Sequence, residues 1–225
     1  MNREKVRVRL AKEGVARFIS HLDFTRAFER AARRAGLPVA LSEGFHPIPR
    51  FSFGPPLPVG ATSQAEYVDL ELTAAVPAPE VAARLARALP PGFRMLAAAT
   101  LPPLTKPLMA EVACADYAVD LTVPAEAFSG AEAAARLLAQ PNLPVARRAK
   151  DGGERQVDIR PYLLGLEYAG GEGPVHRFRM RIKTGSTGGA RPEEYLPWLA
   201  EHVRADVART EVWLDREGEL VSALG

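Results

Sequence analysis

One cysteine, Cys114, is all the thiol chemistry in this 225-residue sequence. A lone thiol closes no internal disulfide and cannot supply the thiolates of an iron–sulfur cluster or a cysteine-rich zinc site. A redox-cluster enzyme is therefore excluded for this chain alone, and no resident cofactor or metal is expected. Aromatic residues make up only 7% of the chain, which leaves few rings for stacking on nucleic-acid bases. Long apolar runs are missing as well. None approaches the roughly 20 residues of a membrane helix, and the Met-Asn-Arg-Glu-Lys start carries no apolar signal region. The expectation is a cytoplasmic protein without membrane contact. A Walker lysine, a dinucleotide glycine fingerprint and a nucleophile elbow are also lacking, so no self-sufficient catalytic centre is legible.

What is present suits a globular chain: 47% apolar and 25% charged residues can bury a core in one large or two small domains. The net charge is +2, but it is unevenly spread. Residues 1–50 hold eleven Lys or Arg against five Asp or Glu, and residues 147–183 hold nine against five. Local basic patches of this kind suit an anionic partner better than the total does.

The chain opens on alternation, with Val6, Val8 and Leu10 on one face and Lys5, Arg7 and Arg9 on the other. That is the period of a half-buried strand. Ser20 and Asp23 read as a capping box for a helix whose apolar stripe is Leu22, Phe24, Ala27, Phe28, Ala31, Ala32 and Ala35, closed by Gly36 and Pro38. The segment Ser42 to Arg50 holds two prolines and a glycine and reads as a loop. Strands over 51–53 and 67–72, a helix over 79–89 and a strand over 93–99 complete a βαββαβ order. Three prolines between Leu101 and Leu108 suggest a stiff connector.

The same order then repeats. It comprises a strand over 116–123, a helix over 125–140, strands over 166–169 and 175–183 joined by a Gly-Gly-Glu-Gly-Pro turn, a helix over 191–203 and a strand over 208–215. An insertion at 145–159 reads as a hairpin around Asp151-Gly152-Gly153. The fold class expected is α+β, two tandem ferredoxin-like modules with antiparallel sheets, spanning 1–103 and 109–225. Trp198 and Trp213 are read as core.

Three groups of residues could carry chemistry. First, Arg177, Arg179, Arg181 and Lys183 alternate with Phe178, Met180 and Ile182, so one strand face is basic. Lys5, Arg7 and Arg9 form a matching row in the first module. Open basic sheet faces suit a phosphate backbone. Asp69, Glu71, Asp116 and Asp120 lie on the neighbouring strands, however, and cross-strand pairing could consume the charge. Both readings stand at this point.

Second, His21 and Asp23 face Glu43, Phe45 and His46 across a helix start and a loop, which allows acid–base work by His21 and His46. Their spacing fits no zinc motif, and Asp23 is already accounted for as a cap. A partner-binding role for His21, Arg26, Glu43, Phe45, His46 and Arg50 is the alternative. Third, Ser186, Gly188, Gly189 and Arg191 precede a helix and resemble an anion site at a helix N-terminus. Arg26, Arg30, Arg33 and Arg34 read most simply as a solvated helix face.

Several segments together resemble one known group: Arg17-Phe18-Ile19-Ser20-His21-Leu22-Asp23, Ser42 to Pro47, Leu57-Pro58-Val59-Gly60, Glu66 to Asp69, Val157 to Pro161, and Gly188 to Pro192. The chain resembles the radical-SAM-linked protein family, a bacterial domain of unknown function. The resemblance implies a helper standing beside a radical S-adenosylmethionine enzyme, with RNA as a shared substrate. It implies no catalytic residues. The leading expectation is an accessory protein that binds RNA, the radical SAM enzyme, or both, in RNA or ribosome-related modification. Two alternatives are a pure interaction scaffold for that enzyme and a histidine-dependent RNA-cleaving enzyme.

Overall fold

The computed structural model describes residues 4–102, 104–124, 128–149, 152–201 and 203–224. It is mixed α+β, with antiparallel strand pairs and few helices. The chain divides into two compact units, 1–113 with 209–225, and 114–208. This differs from the expected 1–103 and 109–225. Residues after 208 belong to the first unit because Arg209 and Glu211 bond to Glu66 and Tyr67 there. No helix among the described residues is long and apolar enough to cross a membrane.

The first unit begins with β1 (Glu4–Lys12), α1 (His21–Arg34), β2 (Phe51–Phe53), β3 (Thr62–Leu72), α2 (Ala78–Ala88) and β4 (Phe93–Leu101). β1 lies between β4 and β3, antiparallel to both, and β2 pairs with β3. Val6, Val8 and Leu10 of β1 and Val68, Leu70 and Leu72 of β3 bury against Phe24, Phe28, Val81 and Leu85 of the two helices. Each such side chain contributes roughly 1.5–3 kcal/mol on leaving water. The α1 start is as expected: the Ser20 hydroxyl accepts from the Asp23 amide at 3.1 Å. Its C-terminal signal also holds, since Gly36 takes φ +63°, a conformation costly for residues with a Cβ. Leu22 departs from the expected stripe and is exposed.

A short helix, α3 (Leu108–Glu111), follows the proline-rich connector. From the far end of the chain, 209–216 of β10 (Arg204–Arg216) lies beside β3 and pairs with β11 (Glu219–Ser222).

The second unit holds β5 (Val112–Thr122) from Cys114 onward, α4 (Gly130–Leu138), the hairpin β6 (Pro144–Arg148) and β7 (Glu154–Asp158), then β8 (Leu163–Glu172), β9 (Val175–Lys183) and α5 (Leu196–Leu199). β9 runs between β5 and β8, antiparallel to both. Several expectations need correction here. β8 continues through Gly170 and Gly171, leaving only Gly173 and Pro174 for the turn. α4 begins at Gly130, where the Ser129 hydroxyl caps the Glu132 amide; residues 125–127 of the expected helix, and Asp151 at the hairpin tip, lie outside the described residues. The helix expected over 191–203 is a 3-10 turn, Pro192–Glu194, and the single turn α5. Pro197 offers no N–H to continue the first turn, so the chain restarts there. Gly130 packs under the Tyr168 ring, where a Cβ would collide with the aromatic carbons. Trp198 and Trp213 are half-buried rather than core.

Candidate functional site

On β9 the alternation holds. Phe178, Met180 and Ile182 are buried, while Arg177 and Arg179 are exposed and Arg181 and Lys183 half-buried. Because β9 is central in its unit, each cation meets neighbours on both sides. Arg181 stands opposite Asp116 in the β5 register and donates to both carboxylate oxygens, at 2.7 and 2.8 Å. Asp116 thereby holds the Arg181 guanidinium above its ordinary pKa. Arg179 stands opposite Glu167 of β8, 3.7 Å away, and Arg177 lies 3.9 Å from Glu172. Asp120 is the β5 partner of Arg177. The uncancelled basic row is thus not what the fold presents: three of its four cations face carboxylates across the strand pairs.

The first-module row departs further. Arg7 is fully buried, sits opposite Asp69 in the β1–β3 register, and donates to it at 2.6 and 2.9 Å. A third bond, 2.8 Å to the Ala223 carbonyl, ties it to the returning C-terminal segment. A ligand phosphate cannot reach it. Arg9 bonds the Gln64 and Thr210 carbonyls, pairs with Glu211 at 3.0 Å and lies over the Tyr67 ring. Lys5 donates to the Thr105 carbonyl. The segment after 208, distant in sequence, covers this face of β1.

At the expected anion site, 186–191, the turn is already engaged by the protein's own groups. The Arg191 backbone N–H donates to the Glu194 carboxylate at 2.7 Å, so the protein's own acid occupies the turn opening. Arg147 grips that same Glu194 with two bonds and also donates to the Gly189 carbonyl. Gly189 is needed for packing, because a Cβ there would strike the Lys183 carbonyl. Ser186 and Gly188 flank this packed turn, and Gly188 lies against the Tyr162 hydroxyl.

The histidines are not brought together. The His21 ring packs on Phe24 and Phe53, with centroids 6.3 and 6.0 Å away. Burial is the main cause that pulls its pKa below the ordinary value; Glu66 opposes, while Arg209 and Lys12 add to the lowering. His46 is exposed within 43–48, and no hydrogen bond or ring contact among the described residues joins it to His21. That loop is closed by Ser42 and Ile48, which exchange two bonds, and it carries Glu43, His46 and the fully exposed Phe45. Arg50 pairs with Glu71 at 3.6 Å and Arg26 lies 3.9 Å from Asp23. No group of three or more His, Cys, Asp or Glu among the described residues could hold a metal.

Two features escaped the sequence reading. One is a second buried ion pair, in which Arg209 donates to Glu66 at 2.6 Å and to the Pro55 carbonyl at 2.7 Å. Lys12, also buried, donates to the Ile19 carbonyl beside it, and burial lowers its pKa against the pull of Glu66. Nothing local in a lone Lys or Arg announces such pairing.

The other is an apolar surface. The Gly60 N–H donates to the Arg17 carbonyl at 2.7 Å and the Arg17 side chain returns a bond to the Gly60 carbonyl. Around this clasp Val15, Phe18, Leu22 and Val59 are 74, 67, 57 and 61% exposed. The Phe18 and Val59 segments carry part of the family resemblance, but their exposure could not be read from the residues.

Comparison with known proteins adds a family and little else. No curated protein matches. Among solved structures, a chain of "Crystal Structure of a Cbf5-Nop10-Gar1 Complex" is 12% identical with a TM-score of 0.46. That likeness covers 91% of this chain, which spans 48% of the other. An unknown protein from Galdieria sulphuraria is 14% identical, with a TM-score of 0.27 over 92% of this chain and 98% of that one. Both likenesses are too distant to argue from. A family model described as "Uncharacterized protein conserved in bacteria (DUF2344)" matches residues 5–192. The chain belongs to that bacterial family.

Proposed function

We propose that this chain is an accessory module that docks on a partner enzyme and brings RNA to it. The partner and the RNA are those implied by the resemblance to radical-SAM-linked proteins, and the setting is the cytoplasm. The observation that carries the docking half is the apolar surface around the Arg17–Gly60 clasp. Val15, Phe18 and Leu22, on the segment that holds Arg17, and Val59, next to Gly60, stay in water there, although the unit buries a full core elsewhere. Exposed apolar side chains, where they gather into a patch, mark protein-interaction sites. The reciprocal Arg17–Gly60 bonds hold them in place, and pre-ordering lowers the entropy that binding costs. Arg17, with its ring contact to Phe18, supplies a polar rim.

Our reading also keeps both units as ferredoxin-like modules. It is supported by the β4-β1-β3 arrangement with β2 against β3, and by β9 lying between β5 and β8. Nothing in the geometry favours histidine-dependent cleavage.

The test is co-purification of the untagged radical SAM enzyme with the tagged chain. Phe18→Asp and Val59→Asp, both at exposed positions, should leave the unfolding midpoint in place and lower capture at least tenfold, as interface anchors do. Undiminished capture by both variants would remove the docking surface.

A further inference from the structure

The strand cations are largely engaged; several of the helix arginines are not. α1 exposes Arg30, Arg33 and Arg34, and α2 exposes Arg87 beside a half-buried Arg84. Their C-terminal turns meet over a cleft of about 270 Å³ lined by Arg34, Ala35, Arg84, Arg87 and Ala88. The two helices clasp each other there. Arg34 donates to the Ala88 carbonyl at 2.5 Å, and Arg84 donates to the Gly36 carbonyl at 3.4 Å. Those bonds satisfy helix-end carbonyls and fix two guanidinium groups at the rim. Glu80 pairs with Arg84. Arg30, Arg33 and Arg87 make no ion pair or hydrogen bond through their side chains among the described residues, even though Glu29 lies four positions before Arg33.

We propose that this arginine-rich seam between α1 and α2 is a binding site for the phosphates of a single-stranded polynucleotide. Every cation is arginine, whose planar fork matches a phosphate with two parallel bonds where lysine offers only a point charge. Residues three and four apart on a helix lie about 5–6 Å apart. Arg34, Arg84 and Arg87 line the cleft, and Arg30, one turn earlier on α1, and Arg33, in the neighbouring groove beside Glu29, extend them into a run of cations suited to a chain of phosphates. No aromatic side chain lines the cleft, so binding is to the backbone, indifferent to sequence and steeply dependent on salt. The inference deepens the RNA half of the proposed function and does not depend on the docking half.

The test uses the full chain without a partner and a fluorescent uridine 20-mer, with affinity read by anisotropy across a KCl series. The Arg30→Gln, Arg33→Gln, Arg87→Gln triple variant, all surface changes, is compared with Arg177→Gln, Arg179→Gln on β9. Expected is a loss of about tenfold or more at low salt for the triple variant. Its slope of log affinity against log salt should shrink by about 2, at roughly 0.7 for each phosphate no longer neutralised. The β9 variant should stay close to the parent. If the triple variant binds as the parent does, or the β9 variant loses as much, the seam is not the site, while RNA binding itself stands. If the parent does not bind, the RNA half of the function falls as well. Equal displacement of the oligonucleotide by polyglutamate would make this an acidic-protein surface and overturn the assignment.

Discussion

β1 and β9 are written in nearly the same way, with arginines at alternate positions facing apolar residues at the others, and each places an arginine directly opposite an aspartate on its neighbour. Arg7–Asp69 and Arg181–Asp116 are the same bidentate cross-strand pair, with shortest bonds of 2.6 and 2.7 Å. Their surroundings differ. The Arg7 side chain is 0% exposed and the Arg181 side chain 41%. Alternation tells which side chains share a face; it does not tell whether a remote part of the chain will return to cover that face. An aspartate opposite an arginine is a modest surface contact in one unit and an obligatory counter-charge in the other.

The largest test of that contrast lies in the second buried pair. Glu66→Leu alone should cost about 3–5 kcal/mol, because it leaves Arg209 charged in a dry place, and Arg209→Leu added to it should recover most of the loss. Urea unfolding of both variants measures this, and a double variant no better than the single one would break the account. In the second unit the cost should come from packing instead. Gly130→Ala drives a methyl into Tyr168 and should cost roughly 1–3 kcal/mol, seen as a lowered urea midpoint. Arg179→Ala, with an exposed carboxylate 3.7 Å away, should change stability by no more than about 1 kcal/mol in the same measurement.

The smallest effect is the pH dependence of His21. Its folded pKa lies below the ordinary 6.5, so the unfolded chain binds more protons in that window. The His21 contribution is fully present above pH 6.5 and is lost as pH falls through the lowered folded value. Glu66, Arg209 and Lys12, the charged groups that act on it, stay in place in His21→Gln, which should flatten the fall in stability below pH 6.5. An unchanged pH profile would show that His21 does not contribute.

Much of the architecture was legible because it is local. The Ser20 cap, the Gly36 stop and the period-two runs of β1 and β9 are written in adjacent residues. What stayed hidden depends on distant chain. The Ala223 carbonyl over Arg7, Glu211 beside Arg9 and Glu66 under Arg209 are partners 143 to 216 residues apart or more than one strand away. The break in the helix expected after Arg191 is itself local, since Pro197 has no N–H to carry the turn on. For the site, sequence alternation drew attention to strand cations that the fold engages with carboxylates. The helix arginines, which look like an ordinary solvated face in sequence, gain meaning only when α1 and α2 meet.

The central claim is that Arg7 of β1 is structural because it is buried with Asp69, whereas its counterpart Arg181 of β9, paired with Asp116, is not buried. Urea unfolding of Asp69→Ala beside Asp116→Ala addresses it most directly. The account expects a loss of about 3–5 kcal/mol for the first and about 1 kcal/mol or less for the second. Equal losses, or a larger loss at Asp116, would contradict it.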